Sequence, residues 1–113
     1  MKQRLLVMNG QRLVQSEQAG QWSTIKVERA GTIKPGIYHI HLAVEPDKSK
    51  AYDGLILHAD QGFVYQQVGK LLIKHSLSDF DVVPEIAIST RVKYEKGRAL
   101  ALQFVQKLGR GIS

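Results

Sequence analysis

Residues 51–75 read AYDGLILHADQGFVYQQVGKLLIKH, three short apolar runs separated by two turn signals. Tyr52–His58, Phe63–Val68 and Leu71–His75 are each strand-length, and Asp60-Gln61-Gly62 and Val68-Gly69-Lys70 supply the residues tight turns use. Working outward, Ile86–Tyr94 and Arg98–Phe104 extend the series, with Glu95-Lys96-Gly97 as the last turn. Many short strands with glycine turns predict a mainly β chain, a small antiparallel barrel or sandwich, because closure or stacking hides strand edges. Only Ser76–Phe80 reads as a helical turn, capped by Ser76 or Ser78, which leaves an α+β variant open.

Upstream, Leu5–Met8 runs into Asn9-Gly10, and Arg12–Gln15 runs out. Asn-Gly tolerates the two positive φ angles of a two-residue hairpin, so an N-terminal β-hairpin extension is expected. Gly20 breaks the chain before Trp22, and Ile25 and Val27 alternate with Lys26 and Glu28, as in a strand, with a short helix as the alternative. Ile37–Val44 (IYHIHLAV) has period two, with Tyr38, Ile40, Leu42 and Val44 on one face and His39 and His41 on the other. The polar stretch Glu45–Lys50 then reads as an exposed loop and internal boundary. The expected division is 1–46 as a β-rich segment packing on the rest, 51–105 as a small β domain, and 106–113 as a flexible tail. Leu100–Leu108 fits either a strand or a helix stripe, and a strand through Leu102 is favoured.

The 113 residues suit one domain or two very small modules sharing a core, and the absence of cysteine excludes disulfides, thiolate metal sites and thiol nucleophiles. Only four consecutive apolar residues follow Arg4, too few for a signal-peptide core, and no stretch is long enough to span a membrane. The expected compartment is the cytoplasm. The net charge of +6 is uneven: residues 1–85 carry ten basic and nine acidic side chains, whereas 86–113 carry six basic against Glu95 alone. Arg91, Lys93, Lys96 and Arg98 flank one hairpin and are the candidate phosphate contacts; the alternative is simply a positively charged hairpin.

The other chemistry is sparse. His39 and His41, two apart on a strand, would point the same way and share a metal if His58 or His75 supplied a third ligand. The alternative, a polar strand face, is favoured, so no metal or cofactor is expected. Asp79 and Asp81, and Asp53 and Asp60, sit near turns where aspartate bonds the backbone. No serine-nucleophile, phosphate-loop or dinucleotide motif is present, so no catalytic residue is assigned. Tyr65 and Tyr94, near Lys70, Lys93 and Lys96, could stack bases, though a domain this small needs aromatics in its core.

The combination Tyr52-x-Gly54, the strand to His58, Val64-Tyr65-Gln66-Gln67, Gly69, the strand to His75, and Tyr94-Glu95-Lys96-Gly97-Arg98-Ala99 resembles the KfrB domain of broad-host-range conjugative plasmids. The resemblance covers about half the chain. It implies a non-enzymatic accessory protein of plasmid maintenance or conjugative transfer, working as a binding or adaptor module on a plasmid-encoded or host protein, with DNA and homodimerisation as further possibilities. Gln66 and Gln67 point to opposite faces of their strand, so one is buried and hydrogen-bonded or both are solvated.

Overall fold

The computed structural model describes residues 2–103. Among the described residues nine strands form two antiparallel sheets. The first contains β1 (Gln3–Met8), β2 (Gln11–Gln18), β3 (Gln21–Arg29) and β4 (Gly36–Tyr38), in the order β3-β2-β1-β4. The second contains β5 (Tyr52–Ala59), β6 (Phe63–Val68), β7 (Leu71–Ser76), β8 (Ser89–Glu95) and β9 (Arg98–Gln103), in the order β7-β6-β5-β8-β9. The fold is therefore mainly β and sandwich-like.

Local chemistry sets the turns. Asn9 and Gly10 have φ of 52° and 73°, and Lys96 and Gly97 have 52° and 79°. Both pairs match the two positive φ values that the twist of a hairpin demands. The β5–β6 turn uses a side chain instead: Asp60 Oδ1 accepts hydrogen bonds from the Gly62 and Phe63 amides, both at 2.8 Å.

Alternation then sorts the side chains. Leu5, Val7 and Val14 of the first sheet meet Leu57 and Tyr65 of the second in one core. Ile56, Val64, Val92 and Ala99, from the opposite face of the second sheet, gather with Phe80 in another. The second sheet thus has apolar packing on both faces. It is also strongly coiled. In the sheet order β6 and β5 separate β7 from β8, about 14 Å in a flat sheet. Yet the rings of His75 on β7 and Tyr94 on β8 lie 5.8 Å apart.

Three local expectations need correction. The strand over Ile37–Val44 ends at Tyr38, and Ile40–Leu42 forms a 3₁₀ turn. The chain must leave the first sheet there to reach the edge of the second, where the Val44 amide donates to Leu72 O (2.9 Å) and Val44 O accepts from the Lys74 amide (2.8 Å). The strand expected from Ile86 begins at Ser89, because Ala87 takes φ of 68° and donates its amide to Ile56 O at 2.7 Å. The turn after β7 is a 3₁₀ helix at Leu77–Asp79, and Ser76 at its start makes no side-chain capping bond. Leu100–Gln103 is strand; the expected tail at 106–113, and any helix beyond 103, lie outside the described residues.

Candidate functional site

The residues that carry the motif converge inside the second sheet. Gln66 on β6 is fully buried. Its amide nitrogen lies 2.8 Å from Thr90 O, 3.0 Å from Tyr52 O and 3.3 Å from Gly54 O. Its oxygen can only accept, so His75 Nε2 donates to it, at 2.8 Å. His75 Nδ1 is then the acceptor for the Tyr94 hydroxyl, at 2.6 Å. Tyr52, Phe80 and Tyr94 surround the His75 ring at centroid distances of 5.8–6.0 Å.

Gly54 permits this arrangement. A Cβ there would stand 1.8 Å from Gln67 O, so only glycine admits the approach of β6. Of the two glutamines, Gln66 is the buried, hydrogen-bonded one and Gln67 is half-buried. Burial pushes the His75 imidazole down to about 4, and burial with the charge of Asp79 pushes the Tyr94 phenol above its ordinary range. A neutral histidine held between an amide and a phenol fixes strand register; both its nitrogens are occupied.

A second polar group sits between the sheets. Arg12, on β2, is 4% exposed and donates to Leu57 O (2.7 Å) and to Glu28 (2.5 Å). It ties the first sheet to the backbone of the second. Burial lowers its affinity for a proton, and Glu28 opposes that shift. His58 is buried nearby, and its Nδ1 has no hydrogen-bond partner among the described residues. Burial, then the charge of Arg12, pushes it down to about 4. His58 and Tyr65 line a cleft of about 700 Å³ between β3 and the β5–β6 turn, with Lys26, Asp60 and Phe63.

The four candidate phosphate contacts lie on one hairpin, but three of them have carboxylate neighbours. Arg91 makes a two-pronged pair with Asp53, at 2.7 and 2.9 Å. Lys93 is 3.7 Å from Glu95, and Arg98 reaches Asp81 at 2.5 Å and Ser78 O at 2.9 Å. Lys96 occupies the turn and forms no ion pair with the described residues. Sequence reading gave the cations but not Asp53 and Asp81, which come from distant segments. Tyr65 is buried, and the Tyr94 ring is already stacked on His75 at 5.8 Å with Lys48 Nζ 5.5 Å from its centroid.

His39 and His41 do approach each other, with ring centroids 5.5 Å apart, although not as neighbours on a strand. His41 Nδ1 donates to Gln3 O at 2.8 Å, and its ring lies 6.3 Å from Trp22. His58 and His75 belong to the second sheet. Among the described residues no group of three or more His, Asp or Glu is placed to hold a metal ion. The aspartates are similarly used: Asp79 pairs with Lys48 at 3.1 Å, and Asp60 closes its turn. No helix among the described residues is long and apolar enough to cross a membrane.

The polar residues of this two-sheet β module chiefly hold its strands together, so in class it is a structural β scaffold. Comparison with known proteins gives the family. The KfrB Domain model matches residues 51–103, and Protein TraB of Escherichia coli is 30% identical over 98 residues, spanning 84% of this chain and 67% of TraB. The chain belongs to the KfrB-domain family and is a plasmid-associated accessory protein related to TraB.

Proposed function

We propose that this chain is a docking module of plasmid maintenance or conjugative transfer that acts in the cytoplasm by holding a plasmid-encoded or host protein. The observation that carries this reading is the use of the motif residues. Gln66, His75, Tyr94 and Gly54 are spent on internal packing and hydrogen bonds, so the family signature describes a scaffold, and its activity belongs to surfaces. Affinity capture of the tagged chain from plasmid-bearing cells, with nuclease treatment, tests it. The expected result is a protein retained in near-stoichiometric amount after nuclease digestion. Recovery of DNA with no such protein would overturn the reading.

The charge excess of the last hairpin supports a second reading, nucleic-acid binding through Arg91, Lys93, Lys96 and Arg98. Four phosphate contacts on duplex DNA give a slope of log K against log salt of about −3.6, whereas Lys96 alone gives about −0.9. Surface ion pairs are weak enough to be exchanged for phosphate, so the carboxylate partners lower the effective contact number without abolishing it. Anisotropy titrations at several salt concentrations separate these values, and absence of binding at low salt sinks the reading. We also read the coiled second sheet as a small open barrel, 1–46 and 51–105 as two units divided at the polar loop, and a homodimer as compatible with the edges of two open sheets.

A further inference from the structure

The outward face of the first sheet carries an apolar row across its middle, where an exposed antiparallel sheet is ordinarily polar. Leu5-Leu6-Val7-Met8 and Leu13-Val14 are apolar at both parities, the pattern of strands covered on both faces. Leu5, Val7 and Val14 point into the core and are buried. Leu6, Met8 and Leu13 take the other face. Strand register sets their neighbours: Ile37 opposes Leu6, Leu6 opposes Leu13, and Leu13 opposes Val27. One unbroken apolar row therefore crosses all four strands, about 14 Å from end to end. Its ends, Ile37 and Val27, are 50% and 52% exposed. Leu6 and Leu13 between them are half-buried, so the row is a continuous, partly exposed apolar band, whereas exposed apolar residues on a protein surface ordinarily stand singly.

The row does not stop at β4. Ile37 also lines a groove of about 400 Å³ against β7, with Leu42 and Leu71, which are 68% and 58% exposed. The charges around this band have one dominant sign. The groove contains Lys70 and His39 and no carboxylate. On the outward sheet face Arg4 and Arg29 stand against Glu17, which lies at the far end opposite Trp22. A second copy would set basic rim against basic rim. Strand addition at the free edge is blunted as well, because β3 is bulged where Val14/Gln15 shift register and carries Lys26 there.

We propose that this band, from Val27 across Leu13, Leu6 and Ile37 into the groove at Leu71, docks an acidic partner segment: apolar side chains flanked by carboxylates. The proposal rests on the docking-module reading and names the surface and the chemistry of what it holds.

Trp22 is the chain's single tryptophan, and it lies on the same face with the Arg4 guanidinium 4.2 Å from its ring centroid. It reports binding directly. The probes are two synthetic amphipathic peptides with identical leucine faces, one otherwise glutamate and the other otherwise lysine, titrated into the full chain. The glutamate peptide is expected to shift Trp22 fluorescence and to weaken with salt, and the lysine twin to bind at least about tenfold more weakly. Leu13→Ser and, separately, Val27→Ser should each weaken the glutamate peptide by about tenfold while the circular dichroism spectrum is kept. Leu102→Ser, on the second sheet, should not. Equal binding of the two peptides, binding of neither, or insensitivity to both first-sheet variants would overturn the proposal. So would a wild-type dimer that Leu13→Ser dissociates, since a second copy would then be the occupant. Cellular capture of a partner that survives Leu13→Ser would overturn this surface and leave the docking-module reading standing; failure of wild-type capture strikes that reading itself.

Discussion

The two sheets differ in what covers them. The second sheet has apolar packing on both faces and a buried glutamine–histidine–tyrosine chain threaded through one of them. The first sheet shares one face with that core and presents the other, crossed by an apolar row, to solvent. A family signature confined to the self-satisfied sheet teaches that recognisable residues and working surface need not coincide. The second sheet is a frame; the first is where this chain has something left to bury.

If the second sheet is the frame, its tightest point should be the most sensitive. Gly54→Ala puts a Cβ 1.8 Å from a backbone oxygen, so β5 and β6 must separate. We expect a loss of about 3 kcal/mol or more in urea unfolding, or failure to fold. Next, Gln66→Leu keeps the volume but strands the His75 Nε2–H and three carbonyl oxygens, at an expected cost of about 2–4 kcal/mol. Loss of less than about 1 kcal/mol in either variant would break the contrast between the sheets.

Acid sharpens it further. His58 and His75 have folded values lowered to about 4 from an ordinary 6.5, so between those limits the unfolded chain binds more protons than the folded one. Stability is fully present above about pH 6.5 and is lost as pH falls toward 4, at roughly 1 kcal/mol per pH unit for each histidine. Urea midpoints measured across that range should fall with acid, and His75→Phe, whatever its own stability, should flatten the slope by about half. A slope unchanged in the variant would place the titration elsewhere. The smallest effect is expected at the hairpin. Arg91→Gln removes an exposed pair with Asp53 and should leave the urea midpoint unmoved, because solvent screens such pairs.

Much of this was legible from local sequence. Asn9-Gly10, Gly69 and Lys96-Gly97 are turns because few residue types accept positive φ, and the strands between them follow from alternation. The two-residue period set Gln66 and Gln67 on opposite faces but left open whether either was buried, and the structure buries Gln66. Tertiary demands decided the rest. His39–Val44 alternates like a strand, yet the chain must turn a corner there between sheets. Arg12 reads as a solvent residue, and only the cross-sheet carbonyl of Leu57 explains its burial. The hairpin cations were plain in the sequence, while their carboxylates, Asp53 and Asp81, arrive from segments no local pattern connects to them. The apolar row was half visible: doubled parity in β1 and β2 was there to read, but its alignment with Ile37 and Val27 depends on register.

The pairing of β5 with β8 also has a consequence in time. β6 and β7 follow β5 immediately and can zip onto one of its edges as the chain emerges, but the other edge must wait for Ser89–Glu95. At about 5–20 residues per second of synthesis, that edge stays open on the nascent chain for a few seconds. Gly54, in the middle of the waiting edge, makes it a poor template for a foreign strand during that interval.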